Sequence, residues 1–417
     1  MKIITMHHIL GNKVLEYDVD DRGVIVDERE YDRTVNPKPN IADWVKEHMV
    51  FWYDMSKPVD VYVPGVTYAN PFVNGGEKLT YDLAGDNVND VDCNIVVEEI
   101  PTKQSVPTNE ILKANPYLQD FSGNNRRLKL NNFLFAAMSG VGGYDISSTN
   151  ILPDRANVTV TDNRVIHITK KLSTTDNMVN IVPANSNPTH KFKVTGLSDG
   201  RQVSLVNRNG GFYTFDNGEH EVTLTYPEGT TSLYNAIGVT GDIGDMDVTI
   251  EFLPKYPNAL VTDGVDDYGQ VQNLQQGVKM LFYTCNNFRL SQILYDQRKV
   301  GYDKIQSSYF SIFTEANTIA YNARNVDGKT YIDGVLNETT IADNLLGKKT
   351  IITIVNSSAN SERTGKPSFF STYNNLGYFA NLAFYNSIGF DSVPTKETDG
   401  FTEQDLIDYV LENLITK

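Results

Sequence analysis

The sequence predicts an all-β protein, from its composition, its alternating apolar and polar residues and the spacing of its turn residues. Tyrosine is abundant, with 23 residues in 417, and tyrosine, valine and threonine are types that pleated, half-buried strands favour. Residues 156–163, 164–172 and 190–197 alternate apolar and polar side chains with the period of a strand. Glycine and proline interrupt such segments at short intervals, as in domains built from many short strands.

The first 47 residues are predicted to form a separate segment. Residues 14–30 alternate on both sides of an Asp-Asp-Arg-Gly turn, which indicates a hairpin. Residues 31–40 contain proline and asparagine and are typical of a linker, and residues 41–48 follow as a short helical turn. Two interpretations stay open: an extra hairpin that packs on the main domain, or an anchor to a larger particle.

Three motifs mark the main domain: MVFWYDMSK at 49–57, QDFSGNNRRLKLNNF at 119–133 and NALVTDGVDDYGQVQN at 258–273. Each resembles a segment of laminin G/concanavalin A-like jelly-roll domains, and the third is interpreted as a strand of that family. In those domains the three segments follow one another closely. YFANLAFYNSIGF at 378–390 resembles a late strand of the same family. The resemblance implies one discontinuous jelly-roll sandwich that is interrupted twice.

The two interruptions define the predicted domain organisation. A small β insertion and a larger inserted β-sandwich separate the pieces of the jelly roll, and the larger insertion contains at least seven strand patterns. This larger insertion resembles a carbohydrate-binding module. The predicted domains are an N-terminal hairpin and linker at 1–47, a jelly roll combining 48–58, 107–147 and 256–417, a small β insertion at 59–106 and an inserted sandwich at 148–255.

The C-terminal segment predicts a short amphipathic helix over residues 401–415. Thr402 with Asp405 three residues later is a variant capping box. Apolar side chains then recur at helical spacing, at Leu406, Ile407, Val410, Leu411 and Leu414. Together these features indicate about four helical turns after the last strand.

Charge and cysteine content limit the functional classes. The formal net charge of −16 argues against general binding to a phosphate backbone, so we expect no nucleic-acid partner. Cys93 and Cys285 fall in different predicted domains, which argues against a disulfide scaffold. The apolar run at the N-terminus is broken by His7 and His8, so we expect no secretion signal. No apolar run reaches the roughly 20 residues that span a bilayer, so we expect no membrane insertion.

The sequence offers no catalytic motif, and we expect a protein that is not an enzyme. Retaining glycosidases with a concanavalin-like fold carry their acid pair on one strand, whereas Glu98 and Glu99 are adjacent and point to opposite faces. The glycine-rich MSGVGGYD at 138–145 has no lysine and no helix after it, so it predicts a turn connector rather than a phosphate-binding loop.

Three loops combine aromatic, asparagine and aspartate side chains in the manner of a lectin site, where a ring stacks on a sugar and polar groups orient it. The candidate glycan-binding residues are Asn124, Asn125, Tyr213, Asp216, Tyr373 and Asn375. The alternative is that these residues serve turns and strands, because both asparagine and tyrosine are common in this chain.

Three acidic residues in the middle of the third motif are candidate calcium ligands. Asp263, Asp266 and Asp267 supply oxygen atoms of the kind that Ca²⁺ prefers. The alternative is that Asp266 and Asp267 are turn residues between two strands. We therefore expect no cofactor, with Ca²⁺ as the alternative.

The motifs taken together resemble surface proteins of tailed phages that infect Bacteroidota, particularly crAss-like phages. The resemblance implies a non-enzymatic virion structural protein, made in the host cytoplasm and displayed on the particle surface as a head fibre, capsid decoration or tail-associated protein. Its partners would be capsid or tail proteins, further copies of the chain in a dimer or trimer, and cell-surface or mucin glycans. The alternative is a bacterial surface or secreted glycan-binding protein.

Overall fold

The structure is a computed structural model. It describes residues 4–10, 13–19, 25–32, 41–61, 68–69, 78–79, 103–183, 188–198, 200–207, 211–226, 235–271, 274, 278–288, 292–298, 311–315, 318–321, 328–337, 346–355, 364–371 and 379–415. The chain divides into two compact units, one formed by Met1–Met49 with Ser392–Lys417 and the other by Val50–Asp391.

The elements are almost all strands, which confirms the all-β prediction. In chain order the first are β1 (Ile4–Leu10), β2 (Lys13–Val19), β3 (Ile25–Asp32), α1 (Ile41–His48), β4 (Met49–Asp54), β5 (Val59–Val61), β6 (Tyr68–Ala69), β7 (Lys78–Leu79), β8 (Lys103–Ser105), α2 (Asn109–Ala114), β9 (Tyr117–Leu118), β10 (Leu128–Asn131) and β11 (Gly140–Val141). The next ten are β12 (Ile146–Ile151), β13 (Ala156–Thr161), β14 (Val165–Lys171), β15 (Val179–Pro183), β16 (Thr189–Thr195), β17 (Val203–Asn207), β18 (Phe212–Phe215), β19 (Gly218–Thr223), β20 (Asn235–Val239) and β21 (Gly244–Phe252). The last are β22 (Leu260–Asp263), β23 (Tyr268–Val271), β24 (Met280–Asn287), β25 (Ile293–Arg298), β26 (Ser311–Glu315), β27 (Thr318–Tyr321), β28 (Lys329–Ile332), β29 (Val335–Leu336), β30 (Lys349–Val355), β31 (Thr364–Phe369), β32 (Asn381–Phe390) and α3 (Glu403–Asn413).

The unit that contains both chain ends combines a small sheet with two helices. Strands β1, β2 and β3 form an antiparallel sheet in that order, so the predicted hairpin is confirmed and gains a third strand. Trp44 of α1 is buried, its ring meets Phe401 edge to face at 5.9 Å, and its indole N–H donates to Asp399 Oδ1 at 3.2 Å. Trp44 therefore joins α1 to the segment that precedes α3.

Helix α3 begins as the sequence predicts. Thr402 accepts from the backbone N–H of Asp405, whose carboxylate accepts in return from the N–H of Thr402. Leu406, Ile407 and Val410 are buried on one face. The helix has 11 residues, about three turns rather than the predicted four, because residues 401 and 402 lie before its first turn.

Two large sheets bury a common core, and we refer to them as the host pair. The seven-stranded sheet has the order β27-β26-β25-β31-β23-β10-β9, and the eight-stranded sheet has the order β11-β22-β32-β24-β30-β28-β29 with β4 also paired to β32. Phe369 of the first sheet stacks on Tyr283 of the second and meets Phe384 edge to face, each at 6.0 Å between ring centroids. The sheets therefore face each other across an aromatic core.

The third motif was expected to be a strand, but it forms two strands in different sheets. Strand β22 pairs with β32 in the eight-stranded sheet, and β23 pairs with β10 in the seven-stranded sheet. The chain crosses between the sheets at Gly264, where φ is +76° and a Cβ would lie 2.8 Å from Asn381 Cβ. Glycine is required here because an L side chain fits neither the backbone angle nor the space.

Two five-stranded sheets form a second pair, which we call the inserted pair because it lies in sequence between β11 and β22. Their orders are β12-β15-β20-β17-β18 and β13-β14-β21-β16-β19. Their shared core draws only on residues between Ile146 and Phe252, including Ile166, Val179, Phe192 and Ile237. Each strand pairs within this set.

The smaller insertion is described only at four short strands. Strand β5 pairs with β8 and β6 pairs with β7, both antiparallel. The other residues between 59 and 106 lie outside the described residues. The predicted domain boundaries stay predictions.

A fragment spanning residues 145–256 should fold on its own, because the core of the inserted pair is built entirely from this segment. We expect one cooperative thermal transition by circular dichroism. A fragment ending at residue 243 is the matched control, since it lacks β21, which pairs with both β14 and β16. A gradual, non-cooperative signal from the longer fragment would contradict an autonomous inserted pair.

Candidate binding cleft

A cavity of about 560 Å³ lies where the inserted pair meets the host pair. Three segments distant in the sequence form its walls: helix α2, the loop at residues 132–139, and the turn between β13 and β14. The lining residues are Asn109, Glu110, Lys113, Ala114, Phe135, Ala136, Ala137, Tyr144, Ile146, Ser147, Asp162, Asn163 and Arg164. We call this cavity the cleft.

Arg164 is the central polar group of the cleft. Its Nη1 donates to the hydroxyl of Tyr144 at 2.8 Å, and its Nη2 lies 3.6 Å from Glu110 Oε1 and 3.5 Å from Asp162 Oδ2. Burial alone would lower the pKa of Arg164, but Tyr144 and the two carboxylates outweigh burial and raise it. The guanidinium therefore stays charged and connects the inserted pair to α2.

The turn between β13 and β14 places three polar residues at the cleft. Asp162 and Asn163 have φ of 51° and 55°, and the N–H of Arg164 donates to the carbonyl of Thr161 at 2.9 Å. Two central residues with positive φ are typical of a tight hairpin turn, and aspartate and asparagine adopt this conformation readily. Asn163 Oδ1 also accepts from Thr149 at 2.8 Å, which holds the turn in place.

Helix α2 supplies the opposite wall. Its N-cap Thr108 accepts from the N–H of Ile111 at 3.3 Å, and Asn109 Oδ1 accepts from the N–H of Val141 at 2.7 Å. Burial alone would raise the pKa of Glu110, but hydrogen bonds that involve its own backbone, Thr108 and Asp162, together with the charge of Arg164, lower it overall. Glu110 is therefore an ionised hydrogen-bond acceptor at neutral pH.

The loop at 132–139 forms the third wall with an unusual backbone. Phe135 and Ala137 have φ of 49° and 50°, a conformation that is costly for bulky L residues. Phe135 stacks on Phe133 at 5.8 Å, and the loop is closed by reciprocal backbone hydrogen bonds between Ala136 and Ser139. Surrounding contacts thus hold the strained residues at the cleft, as is common at binding sites.

Asp267 of the third motif forms a hydrogen bond with the loop at 132–139. Its Oδ1 accepts from the hydroxyl of Ser139 at 2.9 Å, and Ser139 Oγ accepts from the N–H of Leu134 at 3.0 Å. Its Oδ2 accepts from the N–H of Asp263 at 3.0 Å. Burial raises the pKa of Asp267 to about 7. The carboxyl group thus joins the crossing between the host sheets to a wall of the cleft.

The predicted calcium ligands do lie together. One carboxylate oxygen each from Asp263, Asp266 and Asp267 falls within 4.8 Å of the others. Both oxygens of Asp267 already accept protein hydrogen bonds, and Asp263 Oδ1 accepts from the N–H of Val265 at 2.8 Å. Ca²⁺ needs six to eight oxygen ligands, so the turn interpretation accounts for more of these contacts. The calcium hypothesis stays a prediction.

The first two predicted glycan residues lie in a tightly held turn. Asn124 Nδ2 donates to the carbonyl of Val50 at 3.2 Å, and Asn125 has φ of 54°. The turn surrounds Asp120, whose carboxylate accepts from the backbone N–H groups of Trp52, Ser122 and Arg126 at 3.0, 2.9 and 2.8 Å. Asn124 therefore serves the local structure, and neither asparagine lines the cleft.

The remaining predicted glycan residues lie elsewhere. Tyr213 is 37% exposed on edge strand β18, next to Phe212 at 57%. Asp216 follows this strand and accepts from Gln202 Nε2 at 3.0 Å. Tyr373 and Asn375 lie outside the described residues. Of the predicted residues that the structure describes, none lines the cleft, and the glycan hypothesis for these residues stays a prediction.

The cleft residues were missed by sequence reasoning because no local pattern marks them. Glu110, Phe135 and Arg164 come from three separate segments, and each segment reads as an ordinary cap, loop or turn. The Asp-Asn pair at 162–163 does predict a hairpin turn, but nothing in the sequence indicates which neighbours this turn meets.

Comparison with known proteins found no matching family model, curated protein or solved structure. Within the described residues, the helices are too short or too polar to cross a membrane.

Replacing Asp267 with asparagine should make the stability of the protein less sensitive to pH. Folding raises the pKa of this carboxyl group from 3.8 to about 7. The group therefore contributes its full stabilisation to the folded state below pH 3.8, where it is protonated, and this stabilisation is lost as the pH rises to about 7. The free energy of unfolding of Asp267→Asn relative to wild type should therefore increase over this range, by up to about 4 kcal/mol.

Denaturant unfolding at several pH values between about 4 and 8 measures this difference. The exposed neighbour variant Asp266→Asn is the control and should not show the same trend. A difference between Asp267→Asn and wild type that does not vary with pH would contradict the assignment. A rise of the wild-type unfolding midpoint with CaCl₂, abolished in Asp266→Asn, would establish the acidic residues as a metal site.

Proposed function

We propose that this chain is a non-enzymatic virion structural protein of a phage, displayed on the particle surface, which binds glycans through its β-sheet domains. We also propose a specific fold for each of the two sheet pairs. The host pair would be a laminin G/concanavalin A-like jelly roll, and the inserted pair would be a domain similar to carbohydrate-binding modules.

The positions of the motif strands support the jelly-roll assignment. Strands β4, β10, β22, β23 and β32 contain the segments that resemble that family, and all five belong to the host pair. β22 and β4 both pair with β32, and β23 pairs with β10. Segments separated by about a hundred residues in sequence thus become neighbours, as a discontinuous domain requires.

The cleft is the observation that supports glycan binding most strongly. It is concave and lined mainly by hydrogen-bonding side chains, with two aromatic side chains, Phe135 and Tyr144, in its wall. Such a combination suits a hydroxylated ligand with apolar ring faces.

The ionised state of Glu110 favours binding over hydrolysis. A glycosidase needs a carboxylic acid whose pKa is raised so that it can protonate the leaving oxygen. Glu110 has a lowered pKa and lies 3.6 Å from a guanidinium nitrogen, so it is a poor proton donor at neutral pH. A second carboxylate, Asp162, contacts the same guanidinium.

Display on a particle would use the N-terminal segment. The sheet of β1, β2 and β3 precedes α1, and α1 is joined through Trp44 to the segment before α3. In this proposal residues 1–40 contact capsid or tail proteins, and the two sheet pairs are presented outward in a dimer or trimer. Closed symmetric assembly would use one surface patch repeatedly.

Deletion of residues 1–40 should abolish incorporation into particles without unfolding the rest. The truncation keeps α1, because Trp44 is only 1% exposed and its removal would leave a cavity. Incorporation is measured by immunoblotting of purified particles from cells that express the variant. The full-length variant Arg164→Ala is the control and should be incorporated normally, since it alters the cleft alone. Unchanged incorporation of the truncated chain would place the anchor elsewhere.

A further inference from the structure

We propose that the cleft binds one ring of a neutral saccharide, whose adjacent hydroxyl groups form hydrogen bonds with Arg164 and with the carboxylates of Glu110 and Asp162. The inference rests on the glycan binding proposed above, and it adds the site and the ligand class.

The size of the cleft fits such a ligand. Its volume of about 560 Å³ lies within the range of small-molecule sites, roughly 300 to 1,000 Å³. A monosaccharide ring with part of its neighbour would occupy this space. The walls come from both sheet pairs, so an extended chain could pass along the junction between them.

The charge of the cleft favours a neutral ligand. Two acidic residues, Glu110 and Asp162, and two basic residues, Lys113 and Arg164, line it. A phosphate or an acidic sugar would meet two carboxylates, and a cationic ligand would meet a guanidinium and an ammonium group. Because the opposite charges balance, a ligand that is polar but uncharged suffers least from either repulsion.

The hydrogen-bonding geometry matches hydroxyl groups. Arg164 Nη2 lies 3.5 and 3.6 Å from the two carboxylates, longer than the 2.7–2.9 Å of a strong charge-assisted hydrogen bond. The guanidinium therefore keeps donor capacity for a ligand, and the carboxylates keep acceptor capacity. A hydroxyl group both donates and accepts, so two adjacent hydroxyls can each bridge one donor and one acceptor.

The walls are fixed before a ligand arrives. Ser139 accepts from Leu134 and donates to Asp267, which holds the strained backbone at Phe135 and Ala137. The turn at Asp162 and Asn163 is held by Thr149. A site whose side chains are already positioned loses less conformational entropy on binding.

Isothermal titration of the full-length chain tests the inference. Neutral oligosaccharides are compared with uronic-acid and sialylated oligosaccharides of equal length, and the recovered sugar is checked by NMR. We expect binding of neutral sugars, recovered unchanged. Arg164→Lys keeps the charge but loses the planar donor fork, and Asp162→Asn replaces one of the two acceptor oxygens with an amide group. Each should weaken binding at least about tenfold, a typical effect of losing one charge-assisted hydrogen bond.

Three further variants complete the test. Asn163→Gly tolerates the positive φ of this position and removes a cleft amide, so it should weaken binding even if Arg164→Lys fails to fold. The exposed loop variant Asp242→Asn, which is not in the cleft, is the control and should bind like wild type. Tyr213→Ala tests the alternative site on β18. Unfolding midpoints show that each variant is folded.

The outcomes separate the inference from the function on which it rests. Neutral sugars that bind equally well to the cleft variants but are lost in Tyr213→Ala would overturn the cleft site and leave glycan binding intact. Preference for acidic sugars would overturn the ligand class. If no sugar binds wild type, both the inference and the proposed glycan binding fail. Cleaved sugar, with cleavage lost in Asp162→Asn, would overturn the non-enzymatic proposal.

Discussion

The chain enters the inserted pair at residues 142–145 and leaves it at residues 253–256, and we call these two segments the incoming and the outgoing crossing. The buried carboxylate of Asp145 forms a hydrogen bond between them. Asp145, only 4% exposed, lies on the incoming crossing and accepts from Lys255 Nζ of the outgoing crossing and from the N–H of Thr189, both at 3.0 Å. The backbone N–H groups of Lys255 and Tyr256 also donate to the carbonyls of Gly143 and Gly142. The cleft depends on this junction, because its walls come from both pairs.

Close approach of the two crossings explains the glycine-rich segment at 138–145. A Cβ on Gly142 would lie 2.7 Å from Pro254 Cβ, and one on Gly143 would lie 2.9 Å from Val261 Cγ2. Both glycines also have positive φ. The segment is a connector, as its composition predicts, and its glycines permit the junction to close. The Asp145 side chain is fully buried and that of Lys255 is 30% exposed, so we expect this ion pair to fix the geometry of the junction more than it adds net stability.

Features set by neighbouring residues could be predicted from the sequence, and features set by long-range contacts could not. The strands of the inserted pair follow from alternation, and the start of α3 follows from Thr402 and Asp405. The cleft does not, because Glu110 and Arg164 are 54 positions apart in the sequence and meet only after the insertion folds back on α2. Asp267 shows the same limit: its sequence fits a turn or a metal ligand, and only its burial and its bond to Ser139 reveal a supporting role.

The central claim is that this junction holds the two sheet pairs in one fixed arrangement. Distance measurement by double electron–electron resonance tests it, with spin labels on Thr214→Cys of β18 and Val335→Cys of β29, both exposed positions. Cys93→Ser removes one native thiol, and burial raises the pKa of the other, Cys285, to about 12, so it will not label. We predict one narrow distance distribution, which Asp145→Ala broadens. A broad distribution in the chain with native Asp145 would contradict the claim.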